Sequence, residues 1–228
     1  MTESQQADLI WTADTPDAVP VSARFGDPYY SLEGGFAESR HVFLAGNDLP
    51  ERFRPGFRIA ELGFGTGLNL LTAYLSWRRT RLPGCLTYTG FEAFPLAYDD
   101  MNRALMAFPE VYSTARPLLD ASRAGETRFS APGLEAEIVL GDARRTLPLW
   151  HGGADAWFLD GFAPARNPEL WGPELMMEVA RHTRAGGTVA TYSSAGNVRR
   201  ALQLAGFEVE RTQGYGGKRH MTKGTIRE

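Results

Sequence analysis

From Phe57 onward the chain alternates short apolar runs with longer stretches that repeat apolar residues at helical spacing. Residues 57–62 predict a strand and 68–77 a helix, with Gly63, Gly65 and Gly67 between them. Residues 86–91 mix β-branched and aromatic side chains and predict a second strand. Residues 95–108 predict a helix with Pro95 in its first turn. Strands follow at 134–140 and 156–159, then a helix at 173–184 and a strand at 188–192 after a Gly186-Gly187 stop. Ser194 is placed to cap a helix whose apolar face is Val198, Ala201, Leu202 and Ala205, and Gly206 to end it. Residues 207–212 and 220–225 predict two final strands. Strands separated by helices predict an α/β fold with a mostly parallel, doubly wound sheet.

Ahead of this pattern, residues 1–55 read as an N-terminal extension packing on the core, and 56–228 as the α/β domain. Residues 9–11 and 19–23 predict short strands, and 34–44 a loop entering a short helix. Pro50, Pro55 and Gly56 mark the end of the extension.

The 228 residues suffice for a full core, and 43% apolar with 22% charged is an ordinary globular balance. No apolar run approaches the roughly 20 residues that span a bilayer. Residues 1–8 lack the basic and apolar regions of a secretory signal. The single cysteine, Cys85, excludes an internal disulfide and a thiolate metal cluster. The expectation is a soluble, cytoplasmic protein with no metal and no membrane partner. A net charge of −3 argues against general nucleic-acid binding. Residues 181–228, however, hold nine Lys/Arg against three acids, +6, while residues 1–180 sum to −9. Such asymmetry permits a local phosphate-binding face.

Ligands of doubly wound sheets bind beyond the carboxyl ends of the strands, so the residues after each strand carry the candidate chemistry. After the first comes Glu61-Leu62-Gly63-Phe64-Gly65-Thr66-Gly67-Leu68-Asn69. A nicotinamide fingerprint needs its third glycine at offset 5, where Leu68 stands. Glu61 would repel a pyrophosphate but suits a cationic ligand, and E-x-G-x-G-x-G is the pattern of S-adenosylmethionine (SAM) methyltransferases. After the second strand, Glu92 lies where an acid meets ribose hydroxyls in nucleotide-binding folds. After the third, Asp142 and Ala143 stand where an adenine edge could be read; Asp142 could equally cap the helix that follows. After the fourth, Asp160 begins a loop running through Gly161-Phe162-Ala163-Pro164 to Asn167-Pro168. A carboxylate directly after a buried strand is costly unless paired or solvated, which makes Asp160 a functional candidate.

The segments 61–69, 160–171, 191–196 and 214–219, with Tyr29-Tyr30 and Glu38-Ser39-Arg40, resemble the methyltransferase domain of the bacterial tRNA 5-methylaminomethyl-2-thiouridine biosynthesis protein. The resemblance runs from about Leu9 to Gly224, and the DGFAP-x-x-NP loop is its most discriminating part. It implies a Rossmann-like, class I SAM-dependent methyltransferase fold: a mostly parallel seven-stranded sheet with an antiparallel last strand. It implies SAM-dependent methylation of the primary amine of 5-aminomethyl-2-thiouridine at the tRNA wobble position. Many such relatives carry a fused flavin-dependent oxidase that makes the amine. This chain stops just after the methyltransferase motifs, so a stand-alone form depending on a separate enzyme for its substrate is expected, or an excised domain.

On this reading Asp160 is the catalytic residue. Glu61, Gly63, Gly65, Gly67, Asn69, Glu92, Asp142 and Ala143 bind the cofactor. Glu38, Phe162, Pro164, Tyr192, Tyr215, Lys218 and Arg219 bind the substrate. Phe162, Tyr192 and Tyr215 could stack on a flipped base, and Lys218, Arg219, Arg199 and Arg200 could meet phosphates. The competing expectations are a nicotinamide oxidoreductase, a SAM-binding module without turnover, and a methyl or aminopropyl transferase acting on a small amine.

Overall fold

The computed structural model describes residues 6–15, 18–31 and 34–227. The segment 1–8 discussed above therefore falls mostly outside the described residues.

Strands β1 (Leu9–Trp11) and β2 (Pro20–Ser22) form a small antiparallel ribbon. The main sheet contains β3 (Arg58–Leu62), β4 (Leu86–Glu92), β5 (Arg128–Ala131), β6 (Leu134–Leu140), β7 (Ala154–Leu159), β8 (Thr183–Thr191), β9 (Phe207–Gln213) and β10 (His220–Ile226). Its order is β5-β6-β4-β3-β7-β8-β10-β9. The neighbours from β6 to β8 pair in parallel, and β10 runs antiparallel between β8 and β9. This is a mostly parallel Rossmann-like sheet with an antiparallel last strand.

It has eight strands, where the sequence predicts seven. The extra one, β5, is a four-residue antiparallel edge alternating exposed and half-buried. It turns into β6 through Pro132-Gly133, and Gly133 sits at φ 81°. So short and half-polar a strand carries no hydrophobic period.

The central strand β7, Ala-Asp-Ala-Trp-Phe-Leu, is buried throughout. Apolar layers cover both faces of the sheet. Phe158 joins Ile59, Leu70, Leu71, Tyr74 and Tyr88 on one side. Trp157 joins Ala60, Leu62, Leu175, Val179 and Leu202 on the other. Because side chains alternate along a strand, Glu61 shares the face of Ile59, beneath the helix Leu68–Thr80.

Residues 34–53 belong to the first layer. The helix Gly35–Ser39, the π-helical turn Arg40–Leu44 and the 3-10 turn Ala45–Asn47 bury Val42, Phe43 and Leu44 with Leu49 and Phe53. Asn47 donates to the Trp157 carbonyl at 3.3 Å and accepts from the Thr188 hydroxyl at 2.6 Å. Arg52 reaches the carbonyls of Asp155 and Gly186 at 3.1 Å each. These bonds fix the segment to β7 and β8.

Three local expectations are corrected. Pro95 lies before the helix Tyr98–Met106, in extended chain, where its carbonyl accepts from Ala7 N–H at 3.0 Å. Gly186-Gly187 is not a stop: β8 passes through it, and pairing with β7 shifts from Ala154↔Thr183 to Ala156↔Thr188 as a bulge. Ser194 does not cap the helix Gly196–Leu204; Ala195 holds that position without a side-chain bond, and the Ser193 hydroxyl accepts from Ala195 N–H.

Candidate active site

The turns after β3, β4, β6, β7 and β8 meet residues 24–31 and 35–43 around a cavity of about 700 Å³. Gly63, Gly65 and Gly67 turn the loop after β3 at φ 83°, 52° and 79°. At Gly63 a Cβ would stand 2.2 Å from the Asp160 carbonyl oxygen, so only glycine lets these two strand ends cross. The loop spends its own donors. Gly63 and Phe64 N–H donate to Phe91 O, Gly67 to Phe64 O, Leu68 to the Thr66 hydroxyl and Gly65 to Glu92 Oε2. A phosphate cradle needs such groups free and aimed at the anion, so the loop does not favour the nicotinamide reading.

Asn69, in the first turn of the helix Leu68–Thr80, joins the acids. Its Nδ2 donates to Glu61 Oε1 at 2.7 Å and to Asp160 Oδ2 at 2.6 Å, while its Oδ1 accepts from the Ser39 hydroxyl at 2.6 Å. Glu61 Oε2 accepts from Tyr88 Oη at 2.8 Å. Glu61 is therefore fully buried behind Asn69, with both oxygens taken, and does not line the cavity. The sequence reading makes Glu61 a cofactor-binding residue; the structure instead turns it, by strand alternation, into the layer under the helix, out of the cavity lining. Burial, with Asp160 close by, holds its carboxyl well above the usual range. Asp160 does line the cavity. Burial raises its carboxyl to about 7, Glu38 adds to the rise, and the Asn69 bond and Lys218 oppose it.

Glu92 lines the cavity, and each of its oxygens holds one backbone N–H, Gly65 and Phe94, at 2.8 Å. Burial raises its carboxyl. Asp142 caps the helix Ala143–Thr146 and also grips Arg144: its Oδ2 lies 2.6 Å from one guanidinium nitrogen. That bond lowers the Asp142 carboxyl. Arg144 reaches Glu169 at 3.2 Å across the crevice. Ala143 lines the cavity beside them.

On the substrate side, Phe162, Tyr192, Tyr215, Glu38 and Lys218 line the cavity. Pro164 and Arg219 do not: Pro164 is half-buried within its loop, and Arg219 is exposed in the turn before β10. Lys218 is drawn inward by Glu38, Nζ to Oε1 2.7 Å. Gly67 likewise lies beneath the cavity as the helix N-cap.

Segment 24–31 also lines the site, without a sequence pattern that marks it. Phe25 packs on Phe162 at 4.8 Å and Tyr29 on the same ring edge-on at 5.1 Å. Asp27 Oδ2 accepts from Ala163 N–H at 2.7 Å, pinning the Asp160 loop from outside. Nothing periodic marks these residues; their aromatic density just after β2 is the available signal.

A family described as S-adenosyl-L-methionine-dependent methyltransferase (Methyltransf_30) matches residues 112–227, just over half of the chain. The chain belongs to this methyltransferase family. The methyltransferase is 44% identical over 236 residues to the tRNA 5-methylaminomethyl-2-thiouridine biosynthesis bifunctional protein MnmC of Pseudomonas paraeruginosa, a match covering 99% of this chain and 36% of that protein. It is 43% identical over 227 residues to the MnmC of Caulobacter vibrioides, covering 96% of this chain and 38% of that one. It thus spans little more than a third of these relatives. Among solved structures it is similar to MnmC2 from Aquifex aeolicus, with TM-score 0.79 and 27% identity over 99% of this chain and 72% of that one.

The donor set of the methyltransferase fits S-adenosyl-L-methionine. Glu92 lines the cavity, and a carboxylate has about four lone-pair sites, so beyond its backbone N–H partners it can still accept from a ribose diol. The loop Gly63–Gly67 offers close backbone approach while the N–H groups of Gly63, Phe64, Gly65 and Gly67 are already bonded, as a sulfonium tolerates and a pyrophosphate does not. The carboxyls of Asp160 and Glu92 both border the cavity, an acidic lining that favours a cation.

Proposed function

We propose that the chain transfers a methyl group from SAM to the primary amine of 5-aminomethyl-2-thiouridine at the tRNA wobble position, giving 5-methylaminomethyl-2-thiouridine. The observation that carries this reading is the Asp160 carboxyl, held by Asn69 at the wall of a cavity whose other side is aromatic. The names of the relatives support tRNA as the acceptor.

Bound SAM supplies a methyl group on a positively charged sulfur. The chain's residues do the rest. Glu92 would hold the ribose, and the Asp142-Ala143 turn would meet the adenine edge. Phe162 and Tyr192 flank the acceptor base; stacking of this kind is worth about 1–3 kcal/mol per base. Asp160 orients the acceptor amine and stabilises the positive charge that grows on nitrogen as it is methylated. A carboxyl near 7 is also poised to take a proton from the amine at neutral pH. Positioning the acceptor nitrogen would supply much of the acceleration.

The aminomethyl acceptor is supplied by a separate enzyme or domain that unmasks the amine, and the reaction takes place in the cytoplasm. Nucleoside mass spectrometry of tRNA from a deletion strain tests the reading. Accumulation of 5-aminomethyl-2-thiouridine is expected; an unchanged content of the methylated nucleoside would overturn it.

A further inference from the structure

We infer that Lys218 stands in the acceptor-amine subsite, as an internal ammonium that the substrate's aminomethyl group displaces from Glu38. The inference rests on the reading above that the acceptor is a primary amine.

The subsite is defined by what holds Lys218. Its Nζ lies 2.7 Å from Glu38 Oε1 and 4.3 Å from the centroid of the Tyr192 ring. A carboxylate on one side and an aromatic face on the other are the two groups that best receive a primary ammonium. Both receivers are fixed. The Glu38 side chain is only 12% exposed and lies in the helix Gly35–Ser39, whose last residue bonds Asn69. Tyr192 donates its hydroxyl to the Gly161 carbonyl at 2.6 Å, which holds its ring against the Asp160 loop.

The occupant is not fixed. Lys218 is 46% exposed and sits in a turn containing Gly214, Gly216 and Gly217. Only two backbone bonds close that turn, Lys218 N–H to Tyr215 O and Gly214 N–H to Arg219 O. The side chain can leave without unmaking any buried structure.

The subsite also opens on the cavity that Asp160 borders. Glu38, Lys218, Tyr192 and Asp160 all line it, and the charges of both Glu38 and Lys218 reach Asp160. The end of a lysine side chain and an aminomethyl group share one terminus, a methylene bearing a primary amine. A group that displaces Lys218 from Glu38 therefore brings its amine into the cavity that Asp160 borders, and groups lacking an amine have nothing to exchange. Glu38 selects the amine and Lys218 keeps its place.

The test is calorimetric binding of n-propylammonium chloride, which replaces the part of the lysine side chain that Lys218→Ala removes. The full chain with Lys218→Ala is expected to bind it at least tenfold more tightly than the unaltered chain. Adding Glu38→Gln is expected to abolish the gain, and n-propanol to bind neither. Equal binding by both chains, or a gain that survives Glu38→Gln, overturns the inference. Glu38→Gln alone gives a second readout: KM for aminomethylated tRNA rises at least tenfold while kcat changes less. An unchanged KM again contradicts the inference. Propylammonium binding needs no tRNA, so failure of the tRNA reading appears separately, as absence of methylation by the unaltered chain.

Discussion

The side-chain amide of Asn69 donates to Asp160 at 2.6 Å, and the same nitrogen donates to buried Glu61 at 2.7 Å. One amide group thus joins the carboxyl at the cavity wall to a second one inside the core. Hydrogen bonds to charged groups contribute about 1.5–3 kcal/mol. Asn69→Ala is expected to lower kcat by roughly tenfold to a hundredfold on that basis. It removes a bond that holds the Asp160 carboxyl down, so the acid limb of the pH–rate profile moves to higher pH. Steady-state rates between pH 6 and 9 check both effects, and an unmoved acid limb rules out the positioning role.

The raised Asp160 carboxyl also has a signature in stability. Burial lifts it to about 7, well above the value of about 3.9 in an unfolded chain. Between these pH values the unfolded state has lost the proton that the folded state keeps. The contribution is present in full below about pH 4 and is lost as pH rises through about 7. Asp160→Asn has no such loss. Its stability relative to the parent is expected to climb from pH 5 to pH 7 and level off at pH 8, by at most about 1.4 kcal/mol per pH unit and less for a partly exposed group. Urea titrations at pH 5 and 8 measure it; a constant difference contradicts the assigned shift.

The phosphate-contacting face is narrower than the basic count of the last 48 residues suggests. Lys218 is paired with Glu38, and Arg181, Arg184, Lys223 and Arg227 also face acids. Arg199, Arg200, Arg211 and Arg219 have no ion pair among the described residues, and Arg199, Arg211 and Arg219 cluster about His220. Desolvation and these three guanidinium groups, Arg211 foremost, hold the His220 imidazole below its usual value. Replacing the three arginines by alanine is expected to flatten the log–log salt dependence of tRNA binding by about two units. Arg227→Ala, which removes a cation already paired with Glu208, is expected to leave the slope unchanged. Equal slopes for parent and triple variant would exclude a phosphate role.

The sequence exposes the parts of this molecule in which one residue type satisfies one local need. The strand–helix alternation marks the parallel sheet, and the glycines mark the crossing at Gly63. Asp160 stands out because a carboxylate after an apolar strand needs a reason. What stays hidden depends on long-range partners. Glu61 reads as a ligand contact until the fold turns it under the helix toward Tyr88. Lys218 and Glu38 lie 180 positions apart, so their pairing has no local trace. Strand β5 is too short to show a period. Phe25 and Asp27 join the site only because the extension folds back over the loop after β7.

Asp160 is the residue on which methyl transfer to a wobble aminomethyl group depends in this proposal. The most direct measurement incubates the chain and its Asp160→Ala variant with SAM and tRNA bearing 5-aminomethyl-2-thiouridine, then follows the nucleosides by mass spectrometry. The unaltered chain is expected to convert the amine to its monomethyl form. The variant is expected to be slower by at least about a hundredfold, with SAM affinity within about tenfold of the parent, since Glu92 and the Asp142-Ala143 turn remain. Conversion by the variant at the parental rate, or none by the unaltered chain while it binds SAM, contradicts the account.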